Sequence, residues 1–305
     1  MNTVRALLVA GALAAVAANC QAGLTTLSPR LCGWQAPLSA VQQDRLLRVA
    51  DILRRELDGS DHRVALIARS GLNLERLGIR YSHAGVSLKA NADAPWAVRQ
   101  LYYACEQGRP RLYDQGLAGF LFGTENPSVG FISVVLLPEA EGAALERAAL
   151  DRPRALRLLA GRYSANAHAF SVAYQNCNQW LVELMASAWG GLDDDREDLR
   201  ERAQHWLADQ GYRPYPIELD SRWLMFAAGF VPWVHTDDHP PDDLFAMRFR
   251  TSLPASIEAF ARQHVPGARR IELCHDERQV VIRAGWDAFG DGCHASAGDR
   301  TMTLE

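Results

Sequence analysis

Residues 130–137 (GFISVVLL) constrain this chain more than any other stretch. The run is uncharged, aliphatic and β-branched, and it is bounded by turn residues. It reads as a strand with no face left for water. A sheet built around such a strand must be covered. Residues 40–57 place Leu46, Leu47, Val49, Ala50, Leu53 and Leu57 near a 3.6-residue period, an amphipathic helix closed at Asp58-Gly59. Helices are also expected over residues 139–150, 153–160, 176–189, 193–210, 221–230 and 254–264. Strands are expected over 64–68, 80–89, 96–104, 245–251, 269–275 and 279–286. The pattern predicts an α+β fold. Residues 80–89, 96–104 and 130–137 share an antiparallel sheet, and the helix opening at Cys177 packs against it.

The N-terminus reads as a targeting segment. Arg5 ends a short polar start, and residues 7–18 (LLVAGALAAVAA) are apolar but too short to span a bilayer. Cys20 and Ala22 then supply small side chains for cleavage after Ala22, making residues 1–22 a signal peptide. A lipid anchor on Cys20 is the rival, disfavoured by Asn19 before it. No later run approaches 18 apolar residues, so an exported mature chain, periplasmic or extracellular and without a transmembrane span, is expected. A net charge of −4 leaves no basic excess for nucleic-acid phosphates. Of six cysteines, Cys32, Cys105, Cys177, Cys274 and Cys293 remain after Cys20, an odd number where cysteines usually pair.

Residues 236–243 (TDDHPPDD) are the one linker-like stretch. They separate a domain over 23–235 from a C-terminal α+β extension over 236–305, expected on the same core. The cluster His235, Asp237, Asp238, His239, Asp242 and Asp243 fits no defined metal spacing and reads as a solvated loop. Phosphate-cradling glycine loops and a GxSxG elbow are lacking, and neither a cofactor nor a metal is expected.

Two segments carry chemistry. Tyr81-Ser82-His83-Ala84-Gly85-Val86 puts a histidine in a strand, followed by small residues that admit close approach of another element. Tyr174-Gln175-Asn176-Cys177-Asn178-Gln179-Trp180 puts Cys177 at a helix start, where backbone N–H groups and the helix dipole favour a thiolate. A thiol there facing an imidazole is the geometry of nucleophilic thiol catalysis. A buried core cysteine and a satisfied strand histidine are the plainer alternatives.

The order of these motifs, a Ser-His-x-Gly-Val strand and then Asn-Cys-x-x-Trp opening a helix 94 residues beyond the histidine, resembles the circularly permuted papain-like superfamily. That group includes permuted NlpC-type peptidases and lecithin:retinol acyltransferase-like enzymes. More closely, Arg69-Ser70-Gly71-Leu72-Asn73-Leu74, then Gly78, Arg80, residues 81–86 and residues 112–117 (LYDQGL), resemble an exported bacterial family, domain of unknown function 2145. The superfamily resemblance implies a third polar group on the strand after the histidine. Gln100 is the candidate, accepting from the ring N–H through its carbonyl oxygen.

The resemblance implies a thiol hydrolase. Cys177 is the nucleophile, His83 the base, and Gln100 orients His83. Tyr81, Ser82, Asn176 and Arg69 would line the substrate site. The substrate would be a small peptide or acyl compound of the cell envelope, such as a cell-wall peptide, or a lipid ester by way of the acyltransferase branch. The competing class is a non-catalytic envelope binding module on the same fold. If Cys177 stays a thiol, Cys274–Cys293 is the favoured disulfide, closing one compact segment, with Cys32–Cys105 second.

Overall fold

The computed structural model describes residues 37–193 and 196–304. Helix α1 (Ala40–Asp58) is opened by Ser39, whose side chain accepts from Gln42 N–H while the Gln42 side chain accepts from Ser39 N–H. Strands β1 (Val64–Arg69), β2 (His83–Leu88), β3 (Ala97–Ala104) and β4 (Arg109–Gln115) follow, then a short helix α2 (Leu117–Leu121) and strand β5 (Gly130–Leu136). Helices α3 (Glu139–Leu150) and α4 (Arg152–Arg157) lead to α5 (Cys177–Trp189) and α6 (Leu199–Asp209). Beyond them come β6 (Tyr215–Glu218), α7 (Arg222–Ala228), α8 (Pro241–Phe245), β7 (Arg248–Thr251), α9 (Pro254–His264), β8 (Arg269–His275), β9 (Gln279–Ala284) and β10 (Arg300–Thr303).

Eight strands form one antiparallel sheet in the order β10-β9-β8-β5-β1-β2-β3-β4, and β6 pairs with β7 separately. The apolar run at 130–136 lies inside the sheet. It pairs with β1 (Ile67 opposite Val134) on one side and with β8 (Ser133 opposite Glu272) on the other. Alternation sorts the side chains to two faces. Leu66, Ala68, Val86, Leu88 and Leu101 face α5, with Trp180, Leu181 and Leu184, and α9, with Ile257 and Phe260. Ala65, Ile67, Val98, Ile132 and Val134 face Val49, Leu53 and Leu57 of α1 and Phe120 of α2. Each fully buried aliphatic side chain contributes about 1.5–3 kcal/mol, so both layers are needed.

The fold is α+β with helices packed on an antiparallel sheet, and the expected core strands lie in it. Several details differ from expectation. Strands β4 and β10 carry arginines, exposed positions and, in β4, a proline; they form the two sheet edges, where burial imposes no apolar alternation. The strand expected over 245–251 covers only Arg248–Thr251, and residues 241–245 are helical, because Pro241 fixes a first helical turn. Helix α6 starts at Leu199; Asp194 and Asp195 of the expected earlier start lie outside the described residues. The stretch at 236–243 is not a solvated loop: His239 and Asp243 are buried, and Asp238 accepts from His168 N–H at 2.8 Å. After it, β8 to β10 complete the same sheet, and α9 joins the core that holds α5.

Cys274 and Cys293 form a disulfide with Cα atoms 5.3 Å apart, which suits an oxidising compartment. Cys177 is a free thiol. Cys105 does not stand free; its expected partner Cys32 lies outside the described residues, as do Cys20 and the proposed signal peptide. Among the described residues, no helix is long and apolar enough to cross a membrane.

At Gly85, β3 packs tightly against β2. A Cβ there would lie 2.6 Å from Val98 Cγ1 and 2.8 Å from Arg99 O. Because one of those atoms is backbone, the sheet would have to part. Gly85→Ala is therefore expected to lose about 1–3 kcal/mol by overpacking, read as a lower urea midpoint with an unchanged slope. An unaltered midpoint would show that the strands can separate freely.

Candidate functional site

The site lies at one end of β1 and β2, where the two faces of the sheet meet. Arg69 ends β1, and His83 opens β2 directly opposite it. By alternation His83, with Gly85 and Ser87, points to the face that carries Phe120, and the two rings lie 5.8 Å apart. Helix α5 packs on the opposite face, with Cys177 at its first position. The ends of the two layers are joined where Asn178 Nδ2 donates to Ser82 O at 3.2 Å. The residue after the cysteine thereby binds the residue before the histidine.

Local chemistry fixes the start of α5. Asn176 is its N-cap, accepting from Gln179 N–H at 2.7 Å. Its amide nitrogen donates to Thr251 Oγ1 (2.8 Å), Ser252 O (3.2 Å) and Ala165 O (3.3 Å). Both ends of the Asn176 side chain are thus committed to architecture. Cys177 is 9% exposed. Burial pushes its thiol up to about 11; the backbone N–H groups of Asn178 and Cys177 and the charge of Arg69 pull the other way and do not overcome it. The thiolate anticipated from the helix start alone is thus outweighed at rest by desolvation.

Gln100 is 2% exposed. Its Oε1 accepts a hydrogen bond from His83 Nε2, and its Nε2 donates to Gln115 Oε1 at 2.5 Å. A glutamine oxygen can only accept, so this chain places the imidazole proton on Nε2 and leaves Nδ1 as the basic nitrogen. Burial, and then the positive charge of Arg69, lower the His83 imidazole to about 3, while the Gln100 bond works to raise it. Arg69 is itself buried, which lowers it to about 10. An aromatic wall lies alongside. Tyr163, whose hydroxyl burial raises well above its ordinary value, stacks on Tyr103 at 4.7 Å, and the half-exposed Tyr102 meets Tyr113 edge-on at 5.9 Å.

The family described as "Uncharacterized protein conserved in bacteria (DUF2145)" matches residues 56–261, more than half of the chain. The chain belongs to this family. No curated protein and no solved structure matches it. The DUF2145 match takes in His83, Gln100 and Cys177 together with both strands and the helix that carry them.

Of the remaining sequence candidates, Ser82 accepts from Leu72 N–H at 3.0 Å and serves to bind loop, strand and helix. Tyr81 is buried, and its hydroxyl donates to Glu272. It borders a different groove, of about 700 Å³, lined by Glu258, Arg262, Arg270 and Trp286 among others and not by Cys177 or His83. Gln115, Phe120 and Asn178 were not singled out from sequence. Gln115 lies within the family-like run 112–117, which was the one available signal. Among the described residues, no group of three or more His, Cys, Asp or Glu side chains is placed to hold a metal ion.

The depressed imidazoles give the folded DUF2145 chain an acid dependence. His83, at about 3, and His275, at about 4, bind fewer protons folded than unfolded between those values and about 6.5. Stability is therefore full above about pH 6.5 and falls on acidification through that window, by up to about 1.4 kcal/mol per pH unit for each histidine. Urea unfolding at pH 7, 6 and 5 should show this slope, and His83→Gln should flatten it. An unchanged slope in His83→Gln would mean that the imidazole is not held neutral.

Proposed function

We propose that this DUF2145 protein is an exported thiol hydrolase of papain-like type. It would act on an amide or peptide bond of a small envelope substrate, such as a cell-wall peptide. Cys177 is the nucleophile, His83 the base, and Gln100 the group that orients His83. The observation that carries the reading is the hydrogen-bonded chain from His83 through Gln100 to Gln115. It lies at the strand end that Asn178 ties to the start of the Cys177 helix. A core histidine needs one partner; a histidine whose partner is itself held by a third group is oriented. The Cys274–Cys293 disulfide supports the exported address.

In this mechanism the thiol proton passes to His83 Nδ1 as the sulfur attacks the substrate carbonyl carbon. The oxyanion is met by the backbone N–H groups at the start of α5. Collapse expels the amine, which takes the proton from His83, and water then cleaves the thioester with His83 again as base. Arg69 stands beside the thiol as the substrate-binding cation. The burial of Cys177 favours a second reading, a non-catalytic envelope binding module in which the thiol only packs.

The two readings separate on turnover of envelope-type peptides and acyl esters. Cys177→Ala and His83→Ala should each abolish hydrolysis with the fold intact by circular dichroism. Gln100→Ala should retain a fraction of it, because packing also holds the ring. Loss of a general base costs about 10²- to 10⁴-fold. An active Cys177→Ala protein would sink the mechanism.

A further inference from the structure

Arg69 is a buried cation that meets no anion among the described residues. It is 8% exposed, and among the described residues no carboxylate pairs with it; the only acidic groups close enough to act on it are the Cys177 thiol and the Tyr102 hydroxyl. Its Nη1 donates to Gly123 O and, at 3.5 Å, to Ser70 O, while its Nε is buried with no partner. The Phe120 ring lies 5.2 Å from the guanidinium carbon. At Gly123 a Cβ would meet Arg69 Nη2, so the glycine in the loop after α2 leaves this guanidinium room to lie there. A guanidinium in such a place is costly unless an anion meets it. Other buried arginines here are met: Arg200 by Glu183, and Arg270 by Glu258 and Glu272. Arg69 is held in place by backbone carbonyls with its charge left over, beside the only free cysteine among the described residues.

We infer that Arg69 receives a carboxylate of the substrate, so that the compounds acted on at Cys177 are acyl compounds bearing a free carboxylate close to the carbon under attack. The inference rests on the Cys177 nucleophile proposed above and specifies its substrate class. Guanidinium and carboxylate match as a charge-assisted donor and acceptor pair. Among the described residues neither Nε–H nor Nη2–H donates to a protein acceptor, and the two lie on one edge of the guanidinium plane. The peptide C-terminus and the free α-carboxylate of a branched wall peptide both supply this chemistry.

Iodoacetate and iodoacetamide test it without knowledge of the natural substrate. The two reagents alkylate sulfur by the same displacement of iodide and differ only in carrying a carboxylate or a neutral amide. The rate ratio of iodoacetate to iodoacetamide at Cys177 is compared with the ratio for N-acetylcysteine. Arg69 should raise it about tenfold or more, the scale of one charged hydrogen bond. Acetate should slow the iodoacetamide reaction competitively in the unaltered protein. Arg69→Gln should return the ratio to that of N-acetylcysteine, and Arg69→Lys should keep part of the preference. Competition by acetate needs no variant, so it decides the matter even where Arg69→Gln does not fold. Alkylation of Cys177 at the N-acetylcysteine ratio, without acetate competition, would overturn the carboxylate inference and leave the nucleophile standing. A Cys177 inert to both reagents from pH 6 to 9 would overturn the nucleophile and the inference together.

Discussion

Glu183 is a fully buried carboxylate in the middle of α5, and the placement of the candidate site depends on it. It accepts from Arg200 on α6 through two nitrogens, at 2.9 and 3.1 Å, from Gln204 at 2.7 Å and from Gln175 at 2.6 Å. Arg200 also donates to the carbonyls of Val172 and Tyr174. One charge thus ties together α5, α6 and the segment that runs into the Asn176 cap. Removing one partner of such a pair typically costs about 3–5 kcal/mol, because the other charge is stranded. Gln175 continues the connection by donating to Leu158 O and accepting from Ala160 N–H. The residues around Cys177 are polar for this reason: Gln175, Asn176 and Gln179 all spend their amides on backbone groups.

The sheet supplies the other half. A strand residue faces one side only, so His83 and the apolar residues that pack on α5 lie on different faces of β2. A residue of α5 can approach the His83 side only at the strand end, and Cys177 opens α5 there, within the core on the helix side of the sheet. This explains why the link is made by Asn178 to Ser82, outside the β1–β2 ladder. It also explains why Gly85 is required two residues after the histidine. Gln100 reaches His83 from β3, and a side chain at 85 would push that strand away.

The sequence made the interior elements legible because burial imposes a period. The strands at 64–69, 97–104, 130–136 and 269–275 and the helix at 254–264 all follow apolar patterning. The edges β4 and β10 did not announce themselves, since an edge strand with one solvated side carries arginine and proline freely. The folded state of residues 236–243 was hidden for a different reason. A charged run with two prolines reads as solvent-facing, and only tertiary contacts such as Asp238 with His168 and His239 with Asn166 bury it. At the site, Cys177, His83 and Gln100 were visible as residue types in order. The burial that raises the thiol, and the absence of a carboxylate beside Arg69 among the described residues, are properties of distant segments brought together, and no local pattern encodes them.

These charges also bear on how the proposed site would switch on. With the thiol near 11 and the imidazole near 3, the resting pair is neutral on both sides. Arg69 acts on the two groups in opposite senses, favouring the thiolate and disfavouring the imidazolium. A carboxylate bound at Arg69 cancels the second effect and makes His83 a stronger base. It weakens the first effect too, but the backbone N–H groups of Cys177 and Asn178 remain to hold the sulfur. Closure of the site by substrate would expel water and strengthen those donors further. On this reading most of the thiol is protonated at rest, and so reacts slowly with oxidants and alkylating reagents alike until a substrate is in place. For a free cysteine in a chain that also carries the Cys274–Cys293 disulfide, that slow reaction is itself a reason for the charge arrangement.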